Sequence, residues 1–193
     1  MKPVERNEIL GLADYETIRD RFRARVIEEK RLRRVALGPS ATAVFENRDT
    51  VLMQVQEMLR TERITREAAI LHEIATYNEL LPGHDELSAT VMIEIADTDA
   101  RDRFLVLARG FERAVALVVD GERQAAKWDP ARELPERTSA VHYLKFPLSE
   151  KAAAHLRAKT KDARVEMIVD HAAYQAKVSL SPAAAASLAE DLA

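Results

Sequence analysis

The chain contains no cysteine among its 193 residues. Disulfides, thiol nucleophiles and iron–sulfur or zinc centres held by its own thiolates are therefore excluded. Glycine is scarce, with five residues, and neither GxGxxG nor GxxxxGK[ST] occurs, so no backbone cradle for phosphate is expected. GxSxG, HExxH and ExxH are absent as well, which removes the nucleophile elbow, the zincin helix and the di-iron bundle pair. Aromatic residues make up only 5% and charged residues 32%, so a core must rest on Leu, Val, Ile and Ala. No apolar run approaches the ~18 residues of a membrane span. The opening MKPVERNEIL also lacks the apolar segment of a secretory signal, and the reading is a cytoplasmic protein without a membrane segment. A formal charge of −3 argues against general nucleic-acid binding.

What is present reads as one α+β domain over 1–193: a helical part over 1–83, a hairpin-rich sheet over 87–181 and a terminal helix over 182–192. The stretch FENRDTVLMQVQEMLRTERI, from Phe45 to Ile64, carries the longest amphipathic pattern. With Asn47 or Asp49 as cap, Val51, Leu52, Val55, Met58 and Leu59 share one arc of the helical wheel. Glu62 projects into that arc, as does Arg48 if the first turn reaches it, so two opposite charges sit where apolar residues belong.

Before it, Asp14 is a helix cap, and Ile18, Phe22 and Val26 give a stripe running to about Lys30. Gly38-Pro39-Ser40 turns a hairpin between strands at 34–37 and 42–46. After it, Thr65 caps a helix ended by Leu81-Pro82-Gly83. From Ala89 the period falls to two. Asp97 caps a helix; Asp120-Gly121 turns the next hairpin; Asp129 to Arg137 is a polar loop. In the strand from Ala140 to Leu148, alternation sets His142 inward with Leu144 and Phe146. Ser149 caps a short helix, Val165–Val169 and Tyr174–Leu180 form a last hairpin with loop 170–173, and Ser181-Pro182 opens the final helix. Hairpins dominate, so the sheet is mainly antiparallel.

Glu62, His142 and His171 are the ligand types of an iron, zinc or manganese site, or without metal the groups of an acid–base centre. Tyr174 is a further catalytic candidate beside its core role, and Arg48 and Asp49 are candidates for anion or ligand binding. Between Arg19 and Arg34 the first helix carries an excess of five positive charges. Arg23, Arg31 and Arg34 are the candidate contacts if that strip docks a partner, against the alternative of a solvated face balanced by acids elsewhere.

The stretches LGPSATAVFENRDTVLMQVQEMLRTERI, HEIATYNELLPG, LSATVMIEI, TSAVHYLKFPL and VDHAAYQAKVSL together resemble an uncharacterised bacterial domain-of-unknown-function family (DUF3501-like). The resemblance runs from about Arg34 to the C-terminus and implies no activity, cofactor or catalytic residue. It implies a context beside a rubrerythrin-like protein and an iron–sulfur oxidoreductase related to heterodisulfide reductase subunits. The leading expectation is thus an accessory or binding protein serving a redox partner. A metal-dependent or acid–base enzyme and a structural homodimer without ligand stand as alternatives.

Overall fold

In the computed structural model, residues 1–158 and 164–192 are described. A short 3-10 turn at Arg6–Glu8 leads into α1 (Leu12–Arg33), followed by β1 (Arg34–Ala36), β2 (Ala41–Phe45), α2 (Arg48–Thr61) and α3 (Glu67–Asn78). The second half runs β3 (Glu86–Ile93), α4 (Thr98–Leu107), α5 (Phe111–Ala114), β4 (Val115–Val119), β5 (Glu122–Ala125), β6 (Val141–Pro147), α6 (Glu150–Arg157), β7 (Val165–His171), β8 (Tyr174–Ser179) and α7 (Pro182–Ala189). The class is α+β, and every strand pairing among the described residues is antiparallel. No helix among the described residues is long and apolar enough to cross a membrane.

Local chemistry explains most boundaries. Asn47 caps α2 by accepting from the Thr50 amide, while the Thr50 hydroxyl accepts from the Asn47 amide, a reciprocal box that satisfies two donors at once. Asp97, Ser149 and Ser181 cap α4, α6 and α7 through the same kind of side-chain acceptor. Two caps differ from the sequence reading. α1 starts behind Gly11 rather than at Asp14, and α3 starts behind Arg66 rather than Thr65, neither with a side-chain cap bond. The last hairpin is also tighter than expected: His171 pairs with Tyr174, leaving Ala172-Ala173 as the turn.

The expected inward position of Glu62 is corrected. α2 ends at Thr61, and Arg63 takes φ 52, so the helical wheel stops before Glu62, which is exposed. Arg48, in the first turn of α2, does not enter the apolar face either. Its guanidinium pairs with Glu8 and reaches the Lys2 and Pro3 carbonyls. Val51, Val55 and Leu59 do face inward, packing with Ile70, Ile74, Val4 and Ile9 in a helical cluster of their own.

Among the described residues, eight strands form two four-stranded sheets, ordered β1-β2-β3-β6 and β5-β4-β7-β8. Their inner faces share one core, from Phe45, Leu87, Val91, Leu144 and Phe146 on one side to Leu117, Val119, Val165 and Met167 on the other. Along one edge the sheets are stitched by a backbone bridge between Lys127 and Lys145. Along the other, the Tyr174 hydroxyl of β8 donates to the Leu37 carbonyl and accepts from the Ser40 amide at 3.1 Å. Gly38 makes that approach feasible: at φ +74, a Cβ there would lie 2.8 Å from the Tyr174 oxygen. Tyr174 is thus a clasp of the sandwich, its ring edge-on to Phe104.

One burial runs against the sequence reading of α1 as a solvated strip. Arg33 is 2% exposed and is bonded twice by Asp191 near the C-terminus, at 2.7 and 2.8 Å. Its Nε has no hydrogen-bond partner among the described residues and lies 3.6 Å from Glu29.

A cleft floored by Glu112, Thr138 and His142

β6 alternates His142, Leu144 and Phe146 toward the core with Val141, Tyr143 and Lys145 on the opposite face. His142 is 8% exposed, and it lies near the start of the strand, where the sandwich opens. Gly110, at φ 82, reverses the chain between α4 and the four-residue helix α5. That turn lays Phe111 flat on the imidazole, with ring centroids 5.4 Å apart and planes 28° apart, and sets Glu112 beside it. The Thr138 amide donates to Leu105 at the end of α4, which holds the Thr138 side chain against both.

The three polar groups make a short relay. The Thr138 hydroxyl donates to Glu112 Oε2 at 3.0 Å, and its oxygen lies 3.3 Å from His142 Nε2. His142 Nδ1 is 3.7 Å from Glu112 Oε2, an ion-pair distance rather than a hydrogen bond. Burial pushes the imidazole pKa below its usual 6.5, against the opposing pull of Glu112 and a Ser139 backbone bond. At neutral pH the ring is therefore neutral and able to accept a proton.

Above this floor lies a cavity of about 280 Å³ walled by Trp128, Tyr143, Arg132, Arg137 and Leu134. A second lobe of about 280 Å³ shares Trp128, Asp129, Arg132 and Tyr143 with the first and continues over Ser88, Glu86, Lys127 and Lys145. Arg132 forms the partition, its guanidinium 4.9 Å from the Tyr143 ring centre and bonded to Glu79 at 3.4 Å. Arg113 similarly covers Trp128 at 5.8 Å, while the indole N–H donates to Glu133. Glu112 also lines an adjoining cavity of about 520 Å³, with Arg109 and Pro135.

The residues singled out from sequence are dispersed. His142 is in the cleft. His171 is spent at the β7–β8 turn, where Nδ1 accepts from Ala173 and Nε2 lies 3.1 Å from the Arg109 carbonyl. Glu62 is at the exposed end of α2. Among the described residues no three His, Asp or Glu side chains are grouped to hold a metal ion, so these three do not form one. Tyr174 is the sheet clasp. Arg48 is taken by Glu8 and Asp49 by Arg25.

The basic strip of α1 is largely answered within the chain. Arg19 and Arg23 converge on Glu57 at 2.8 and 3.0 Å, Arg31 pairs with Glu28 at 2.9 Å, and Arg34 lies 4.0 Å from Glu94.

Sequence reasoning overlooked Glu112, Thr138 and Trp128. A signal existed for two of them. Glu112 stands two residues after Gly110 and just ahead of the apolar run AVALVV, and Trp128 is the chain's single tryptophan, placed at the lip of a proline-containing polar loop. Thr138 has no such mark.

Two comparisons place the chain among known proteins. A crystal structure described as a novel protein of unknown function from Burkholderia pseudomallei K96243 superposes with a TM-score of 0.92 at 35% identity, covering 100% of both chains. No curated protein sequence matches. The family described as "Protein of unknown function (DUF3501)" matches residues 3–192, and this chain belongs to it.

Proposed function

We propose that the protein binds a small molecule in the cleft above Glu112, Thr138 and His142, with His142 accepting a proton from it or returning one to it. The observation that carries this reading is a buried carboxylate and a buried imidazole, joined by one threonine hydroxyl, at the floor of a cavity open to solvent. Buried titratable groups cost folding free energy, and their concentration in a concave site walled by aromatic rings is the pattern of a ligand pocket. Thr138 can donate to either neighbour, so its hydroxyl couples the hydrogen bonding of the two.

Trp128 lines both lobes and is the chain's only tryptophan, so its emission reports on the cleft without labelling. A library of small polar metabolite-like compounds screened by Trp128 fluorescence is expected to yield saturable ligands that also shift the His142 ring resonances, assigned with His142→Gln. Ligands that leave those resonances in place, or a library that moves neither probe, would overturn the reading.

A second reading, docking of a redox or other protein partner on α1, draws on exposed Ile27 and Leu32 beside Arg31. Arg31→Glu with Arg34→Glu should abolish co-purification with that partner; unchanged co-purification would sink it.

A further inference from the structure

We infer that the ligand of this cleft carries a cationic nitrogen, an amine or amidinium, which Glu112 receives, with its apolar body lying between Trp128 and Tyr143. The inference rests on the cleft being a small-molecule site and adds the chemical class.

Glu112 is 7% exposed. Its carboxylate accepts from the neutral Thr138 hydroxyl through Oε2, and nothing among the described residues donates to Oε1, on a side chain that lines two cavities. The Glu112 carboxylate thus has one neutral donor within the protein, and its second oxygen, which is not sealed from the cavity, is left to take its remaining bonds from solvent or from a donor on a ligand. The nearest titratable partner, His142, is neutral at pH 7 and too distant for a hydrogen bond.

Three cations at the rim of the first lobe do not fill this role. Arg132 is turned to Glu79, Arg137 to Asp102 at 3.4 Å, and Arg113 to Glu133 at 2.6 Å. What remains unanswered in the first lobe is therefore negative and deep. An anionic ligand would have to approach Glu112 itself, at a Coulombic cost that low-dielectric surroundings increase. The walls point the same way. Trp128 and Tyr143 each already carry a guanidinium group of the protein, at 5.8 and 4.9 Å, so the ligand's cation goes to Glu112 and its apolar body meets the ring surface that remains.

Benzamidine, benzamide and benzoate, matched in shape and differing in charge, form the test on the full chain. Trp128 emission excited at its red edge and the His142 ring resonances are both followed. Benzamidine is expected to bind saturably, at least about tenfold more tightly than the other two. Its affinity should fall as the pH is lowered and His142 acquires a proton. Glu112→Gln, which keeps the Thr138 bond, should remove the preference at unchanged melting temperature; if that variant unfolds, the wild-type series and its pH dependence still decide. Preferential binding of benzoate or benzamide with His142 shifts would overturn the cationic class while keeping the site. Failure of all three to move either probe would count against the class and against the cleft as a binding site.

Discussion

Arg33 and Asp191 face each other 158 residues apart in the chain, joined by two charge-assisted hydrogen bonds and both nearly sealed from water. The pair fixes the end of α1 to the 3-10 turn at Glu190–Leu192. Burial alone would push the Asp191 pKa up, and Arg33 opposes it. Breaking such a pair strands a charge, so Asp191→Ala should lose about 3–5 kcal/mol in urea unfolding. The double replacement Arg33→Met with Asp191→Leu should recover most of that loss. A single variant within about 1 kcal/mol of wild type would show that the pair contributes little.

Tyr174→Phe removes the hydroxyl that clasps the sheets and leaves the Leu37 carbonyl and Ser40 amide without it. The expected cost is about 1–3 kcal/mol, with faster amide exchange at Ser40. Gly38→Ala should destabilise wild type through both its backbone angle and its 2.8 Å approach to the hydroxyl. In the Tyr174→Phe background part of that penalty should vanish, which a double-mutant cycle would reveal as non-additivity.

His142 sets a pH dependence of stability. Its folded pKa lies below 6.5 because of burial, so as pH falls below that value the unfolded chain takes up a proton that the folded chain resists. Stability from this group is therefore full above about pH 6.5 and declines as the pH falls toward the lowered value. His142→Gln should flatten the difference in urea midpoint between pH 8 and pH 5 relative to wild type. An unchanged difference would mean that the imidazole titrates alike in both states.

Glu57 acts at lower pH. Arg19 and Tyr15 hydrogen bonds, with Arg23 nearby, hold its pKa at about 2 against an ordinary 4.5. Its contribution is complete above about 4.5 and disappears as the pH approaches 2. Glu57→Gln should cost about 1 kcal/mol at pH 7 in low salt and converge on wild type near pH 2, as followed by helical circular dichroism in urea.

Much of the fold was legible because its signals are local. Asp120-Gly121 turns a hairpin with φ 48 and 85, and the alternation with Leu144 and Phe146 set the inward direction of His142. The helical wheel failed at Glu62 because it assumes a helix that continues, whereas the left-handed Arg63 ends it. Arg33 read as one more surface charge since its partner lies on the last turn of the chain. The cleft was legible only in its histidine. Glu112 and Thr138 are 26 residues apart, with no periodicity between them, and meet through the path of the chain around Gly110 and the 129–137 loop.

The pairing of β6 with β3 has a temporal meaning. Three hairpins, β1–β2, β4–β5 and β7–β8, close over two to four residues, so their strands can pair early. Joining β3 to β6 requires the whole segment over 94–140 to be looped out, and β4 to β7 the segment over 120–164. Such long closures carry their entropy cost before contacts repay it, which makes them late and slow steps. The cleft is lined by residues of the stretch 112–143, and two of them, His142 and Tyr143, are seated only once β6 has paired with β3, so a compound that fills the pocket would favour chains that have completed that pairing.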